Sequence, residues 1–150
     1  MYYRSCFMMG HHNADSKITQ QLENIIEMLI TQHGVNRFIV GNHGSFDRIA
    51  ANIIAKEKVL HPEITLSLLL AYHPGEQKSE LPDMFNDSIY PDNMEVVPRR
   101  IAIVKANQYA VRNSDFFIVY AVYPASNSMK MLDYARKREK QGLIKIYSIE

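Results

Sequence analysis

The sequence predicts an α/β fold: a Rossmann-like, doubly wound and mainly parallel sheet of five strands, with helices on both faces. Two observations favour it. Apolar runs alternate with segments of helical period, in the order βαβαβ, then a long insertion, then αβαβ. Several runs are apolar at successive positions, which is typical of strands that helices cover on both sides of a parallel sheet. The length of 150 residues is the usual size of one domain.

Five runs rich in apolar, β-branched and aromatic residues are the predicted strands: Tyr3–Met9, Arg37–Gly41, Ile64–Tyr72, Phe116–Val122 and Leu143–Ile149. Parallel neighbours need crossover connections, and right-handed crossovers place helices on both faces of the sheet. In sheets of this kind, ligands bind beyond the carboxyl ends of the strands. We therefore expect the functional site at that edge.

Four segments have apolar residues at helical spacing. The first has its apolar face between Ile18 and Leu29, and the second between Phe46 and Ile54. The third helix is predicted over Arg99–Asn113 and the fourth over Ser126–Gln141. Asp15 or Ser16 could cap the first helix, and Pro98 suits the first turn of the third. Gly142 is expected to end the fourth helix.

One stretch, His73–Val97, has no usable periodicity and is rich in Pro and Gly. It is predicted to be a long loop insertion, at about 73–97, within a single domain that spans 1–150. Long loops in compact domains tend to be lids or binding loops, and simple surface decoration is an equal alternative.

Composition narrows the partners that we expect. Seventeen Lys and Arg against sixteen Asp and Glu give a net charge of +1, so no strong field draws the chain to nucleic acid or to an acidic membrane. We therefore expect neither as a partner. The single cysteine, Cys6, is expected to be an inert core residue. No leader or membrane-spanning run is apparent, and we expect a cytoplasmic protein.

The first candidate loop follows the first predicted strand. Gly10 stands where the chain turns from strand to helix, and a glycine there lets backbone N–H groups approach an anion. His11 could then touch a phosphate or a sugar. The alternative is that Gly10 only makes a tight turn and that His11 is a solvated loop residue.

The second candidate loop follows the second strand and carries Gly41, His43, Gly44, Ser45 and Asp47. Its two glycines expose main-chain donors, and Ser45 can donate a hydroxyl. Asp47 could accept hydrogen bonds from ribose hydroxyls or act as a base. The loop lacks the lysine of a Walker loop. In the alternative interpretation, Ser45 caps the next helix and Asp47 complements its dipole.

The third candidate loop follows the fourth strand, where Ser126, Asn127 and Ser128 open a helix. Their N–H and hydroxyl donors could meet an anion or a sugar. Each loop alone is a weak signal. Their joint placement at successive strand ends is the argument for a site.

A metal site is the alternative use of these loops, because His11, His12, His43 and Asp47 would lie at neighbouring strand ends. No pair of them has a recognised metal-ligand spacing. We therefore expect neither a metal nor another cofactor.

Four segments, 6–11, 38–50, 98–111 and 132–136, resemble the SLOG superfamily, and more narrowly its small standalone members in bacteria and phages. The resemblance implies a Rossmann-like sheet, a homo-oligomer (a dimer or higher), and binding of nucleotides or nucleotide-derived molecules. Related domains include LOG-like phosphoribohydrolases, DprA-like DNA-processing proteins and sensors of immune signals. The ligand-binding residues expected in this chain are Gly10, His11, Gly41, His43, Gly44, Ser45, Asp47, Arg99, Asn107, Ser126, Asn127 and Ser128.

One departure from the superfamily pattern bears on catalysis, because Leu132 stands in the place of the hydrolase glutamate. The leading hypothesis is therefore binding without turnover of a small ligand, an ADP-ribose-like or cyclic nucleotide signal, sensed or sequestered in bacterial or phage (anti-defence) immune signalling. The alternative is an N-glycosidic-bond hydrolase or transferase in which Asp47 or Asp133 assists departure of the base.

Overall fold

The computed structural model describes residues 3–73, 75 and 81–150. Its strands are β1 (Ser5–Gly10), β2 (Arg37–Val40), β3 (Thr65–Leu69), β4 (Asp87–Ile89), β5 (Phe116–Tyr120) and β6 (Lys145–Ile149). Its α-helices are α1 (Thr19–His33), α2 (Ser45–Leu60), α3 (Ala102–Arg112) and α4 (Asn127–Lys140). Across these described ranges, no helix has the length and apolar character needed to cross a membrane.

The strands form one sheet in the order β4-β3-β2-β1-β5-β6, and every neighbouring pair is parallel. Helices α1 and α2 pack on one face, and α3 and α4 pack on the other. The predicted doubly wound, Rossmann-like class is therefore confirmed. Strands β2, β3 and β4 are added in turn on one side of β1, and β5 and β6 are then added on its other side.

The sheet has six strands rather than the predicted five, because β4 lies inside the segment predicted to be a loop. This strand is three residues long, largely exposed and without an apolar run, so it lacks the signal of a buried strand. It is a strand because it pairs with β3: Ser67 lies opposite Asp87, and Leu69 lies opposite Ile89. A 3-10 turn, Met94–Val96, follows. Residues 74 and 76–80 of the predicted loop lie outside the described residues.

Each central strand contributes to two cores, which explains the continuous apolar runs. In β1, Cys6 and Met8 pack with the helices of one face, while Phe7 packs with those of the other. The Phe7 ring stacks on Phe117 of β5, with centroids 5.5 Å apart and planes 6° from parallel. Burial raises the pKa of the Cys6 thiol far above its usual range, so this side chain is an unreactive part of the core, as expected.

Helix boundaries follow the predicted caps closely. Asp15 accepts a hydrogen bond from the Lys17 N–H and caps a 3-10 turn, so α1 begins at Thr19. Helix α4 is capped by Ser126, whose hydroxyl accepts from the Met129 N–H at 3.1 Å. A 3-10 turn, Arg99–Ile101, precedes α3 and shortens the predicted third helix at its start.

Truncation of Phe117, whose ring stacks on Phe7, tests the assignment of this residue to the core on one face of the sheet. We expect Phe117→Ala to lower the free energy of unfolding by about 3–5 kcal/mol, because the fully buried ring leaves a cavity. Val59 is 81% exposed, and Val59→Ala is expected to change that free energy by less than about 0.5 kcal/mol. Urea denaturation followed by circular dichroism measures both, and equal losses in the two variants would contradict the assignment.

Candidate functional site

A cleft of about 480 Å³ opens at the carboxyl edge of the sheet, next to β1. At β1 the order of the strands reverses: β2 to β4 are added on one side of it, and β5 and β6 on the other. Open α/β sheets bind ligands at such switch points. Nine of the residues expected from the sequence line it: Gly10, His11, Gly41, His43, Asp47, Asn107, Ser126, Asn127 and Ser128. The sequence reasoning missed Ile103 and Ala125, which also line it.

Two residues of the second loop, Gly44 and Ser45, lie outside the lining of the cleft. The Ser45 hydroxyl lies 2.8 Å from the Ala14 carbonyl oxygen and 3.0 Å from that of His12. It ties the loop after β1 to the start of α2, and it does not cap α2, whose N-cap is Gly44. Gly44 packs so tightly on His12 that an added Cβ would overlap it.

Arg99, Asp133 and Leu132 also lie outside the cleft lining. The Arg99 guanidinium covers the ring of Tyr72, near β3. Asp133 is 64% exposed on α4, 3.9 Å from Arg136. Leu132, which stands where the hydrolase resemblance has its glutamate, is 3% exposed and belongs to the core beside α3. The placement of Asp133 and Leu132 gives no support to the predicted catalytic alternative.

His11 joins two loops instead of presenting a charge to a ligand. Its Nε2 accepts hydrogen bonds from the backbone N–H groups of Val122, at 2.8 Å, and Tyr123, at 3.3 Å. A nitrogen that accepts these bonds carries no proton. Burial lowers the pKa of His11, and the neighbouring His12 lowers it further. The neutral ring packs between Tyr120 and Tyr123 and fixes the wall of the cleft.

Asp47 and His43 set the charge of the cleft. The Asp47 carboxylate accepts a hydrogen bond from the His43 N–H at 3.0 Å. Burial raises the pKa of Asp47 to about 6, and that hydrogen bond partly opposes the rise. Partial burial lowers the pKa of His43. The described lining contains no Lys or Arg, so the cleft is close to neutral or weakly acidic at neutral pH.

Two polar side chains of the cleft lining are largely buried. Asn107 of α3 is 5% exposed, and Ser128 of α4 is 3% exposed. Asn107 carries two donors and an acceptor, so it can bind a group that enters the cleft.

Close packing explains the glycines that shape the cleft. A Cβ at Gly10 would overlap the buried ring of Phe46. A Cβ at Gly41 would lie 3.0 Å from the His43 ring and 3.3 Å from the Asp47 carboxylate. Gly10 is therefore needed for space, whereas a side chain at Gly41 would require the His43 and Asp47 side chains to shift slightly.

Comparison with known proteins agrees with the fold. No protein-family model matches the sequence, and no curated protein matches it. A solved structure of DNA processing protein A from Helicobacter pylori matches 97% of this chain with a TM-score of 0.62 and 16% sequence identity. That protein has a unique single-stranded DNA binding mode. This chain shares its fold. It spans 64% of the matched chain.

This finding corrects two expectations about partners. The sequence predicted a small nucleotide-type ligand and no nucleic acid, with an N-glycosidic hydrolase or transferase as the alternative. The matching structure instead belongs to a protein that binds single-stranded DNA. The fold agrees with the Rossmann-like sheet that the resemblance implies.

The raised pKa of Asp47 predicts a specific pH dependence of stability. Its pKa is 3.8 as a free side chain and about 6 in the folded protein, so between these values the folded state holds a proton that the unfolded state releases. The free energy of unfolding therefore falls as the pH rises from about 4 to about 6. We expect Asp47→Asn to remove this fall and to stabilise the protein by about 1–3 kcal/mol at about pH 8.

Urea denaturation at several pH values checks this, with Asp133→Asn as the control. That carboxylate is 64% exposed, so its replacement is expected to leave the pH profile unchanged. A wild-type profile in Asp47→Asn would show that the carboxylate is not desolvated in the cleft.

Backbone strain in the loop between β5 and α4 gives a second prediction. Ala125 has a φ of 63°, in the left-handed region where a side chain is disfavoured. We expect Ala125→Gly to raise the free energy of unfolding by about 0.5–1 kcal/mol. Ala55→Gly, within α2, is expected to lower it by about 1 kcal/mol. Thermal denaturation compares the two, and a loss of stability in both would contradict the strained loop.

Proposed function

We propose that this chain binds single-stranded DNA and that a segment of the strand enters the cleft beside β1. The observation that carries the proposal is the buried amide of Asn107, which lines a concave site at the switch point of the sheet. The fold shared with a single-stranded DNA-binding protein over 97% of the chain supports the choice of partner.

The shape of the cleft favours a single strand over a duplex. A volume of about 480 Å³ receives a group that projects into it, and the bases of an unpaired strand can be splayed out in that way. In a duplex the same bases are stacked and paired. Asn107 and the Ser128 hydroxyl would then bind the exposed edge of one base.

The charge of the cleft favours contact with bases over contact with phosphates. Lys and Arg are absent from its described lining, and Asp47 adds a carboxylate. Each phosphate that a single-stranded DNA-binding protein neutralises contributes about −0.7 to the slope of log K against log salt. A strand held mainly through its bases therefore binds with a shallow salt dependence.

We also propose that residues 1–150 form one domain of the SLOG superfamily. The four resembling segments support this, and three of them contribute residues to the cleft: 6–11 contributes Gly10 and His11, 38–50 contributes Gly41, and 98–111 contributes Asn107. The homo-oligomer implied by the resemblance stays a prediction, which light scattering of the purified protein can test.

Fluorescence anisotropy with a labelled single strand tests the proposed function. We expect Asn107→Leu, which keeps the size of the side chain and removes its hydrogen bonds, to weaken binding by about ten-fold or more. Gln108→Ala is the matched control, because Gln108 is the next residue of α3 and does not line the cleft.

Three results would overturn the proposal. The first is an absence of single-strand binding by the wild-type protein at low salt. The second is equal affinity for a duplex of the same sequence. The third is a decrease in single-strand affinity in Gln108→Ala that is as large as the decrease in Asn107→Leu.

A further inference from the structure

A second, smaller pocket of about 210 Å³ lies at the same edge of the sheet, beyond the ends of β3 and β4. Tyr72 and His73 reach it from the segment after β3, Tyr90 from the segment after β4, and Arg99 from the turn before α3. None of these residues lines the cleft beside β1. The expected ligand residue Arg99 therefore belongs to a separate pocket.

The pocket holds a guanidinium that is stacked on an aromatic ring. The Arg99 guanidinium carbon lies 4.3 Å from the centroid of the Tyr72 ring, and both side chains line the pocket. His73 and Tyr90 meet edge to face, with centroids 5.8 Å apart, and form another part of the wall. Single-strand-binding proteins use aromatic rings and flat arginine planes of this kind as surfaces on which bases stack.

Glu95 decides between a base and a phosphate as the occupant. Glu95 also lines the pocket, and its negative charge offsets the attraction that Arg99 would exert on a phosphate. The same carboxylate can accept a hydrogen bond from the amino group of a base, as Glu and Asp do with cytosine. The volume is below the roughly 300–1,000 Å³ of whole-ligand sites, and a single base is the matching size.

We propose that this pocket is a second subsite for the same DNA strand, in which a base with an exocyclic amino group stacks on the Tyr72–Arg99 pair. The inference rests on the proposed function of the chain. Neighbouring strands of a sheet are about 4.8 Å apart, so the end of β3 lies roughly 10 Å from the end of β1. A strand that enters the cleft can therefore continue along the edge into the pocket.

The chain supplies a matched control for this pair. Arg37 covers the ring of Tyr3 with a carbon-to-centroid distance of 5.2 Å. Tyr3 precedes β1 and Arg37 begins β2, so this pair lies at the opposite, amino edge of the sheet. The same chemistry is thus present at a place where the proposed strand does not pass.

Anisotropy titrations with labelled oligodeoxycytidine and oligodeoxythymidine test the subsite. We expect Tyr72→Ala to weaken binding of oligodeoxycytidine by about ten-fold, the effect of losing one stacking surface. Tyr72→Phe keeps the ring and is expected to bind like the wild type, and Tyr3→Ala is expected to be neutral. Arg99→Lys keeps the positive charge but lacks the flat guanidinium group. It is expected to weaken binding of oligodeoxycytidine as much as Arg99→Gln does.

The base preference is the second readout. The wild-type protein is expected to prefer oligodeoxycytidine, whose bases carry amino groups, and Glu95→Gln is expected to reduce that preference. Equal binding of the two oligomers by the wild-type protein would remove the role given to Glu95 and overturn this part of the inference. Because Arg99 is exposed, the Arg99 variants decide the question if Tyr72→Ala does not fold.

The outcomes separate this inference from the proposed function. If Asn107→Leu weakens binding while Tyr72→Ala and Arg99→Gln bind like the wild type, the proposed function stands and the subsite is wrong. If the wild-type protein binds neither oligomer, both are wrong. Losses in both sets of variants, with Tyr3→Ala unchanged, support both.

Discussion

The position of β1 between β2 and β5 is the constraint on which the rest of the molecule depends. Strand β1 is hydrogen-bonded to β2 on one side and to β5 on the other. The loop after β2 and the loop after β5 lead to helices on opposite faces of the sheet, and the cleft opens between these two loops beside the carboxyl end of β1. Gly10 ends β1 without a side chain, which lets the Phe46 ring pack there. The neutral ring of His11 then fastens the loop after β5 through two backbone N–H groups. Fold and site thus share the same few contacts.

The chemistry of the cleft follows from burial more than from the types of residue present. From the sequence, three histidines and an aspartate suggest a charged or metal-binding site. In the structure, burial keeps His11 and His43 toward their neutral forms and moves the pKa of Asp47 to about 6. The uncharged polar side chains of the lining include Asn107 and Ser128. This combination is suited to the edge of a base and poorly suited to a phosphate group.

Much of the fold could be predicted from the sequence because buried parallel strands and amphipathic helices leave strong periodic signals. The strand β4 could not, since three largely exposed residues become a strand only through their pairing with β3. For the site, the rule that ligands bind at strand ends located Gly10, Gly41 and Asp47. It could not show that Ser45 bonds to a neighbouring loop or that Arg99 lies on Tyr72, because both contacts depend on tertiary packing.

The central claim is that a single DNA strand lies along the carboxyl edge of this sheet. Photo-cross-linking of a strand that carries a photoreactive base, followed by mass spectrometry of the linked peptides, tests it most directly. We expect links within the start of α3, around Ile103 and Asn107, and within the loop around Ala125. Links confined to the amino edge, near Tyr3 and Arg37, would contradict it.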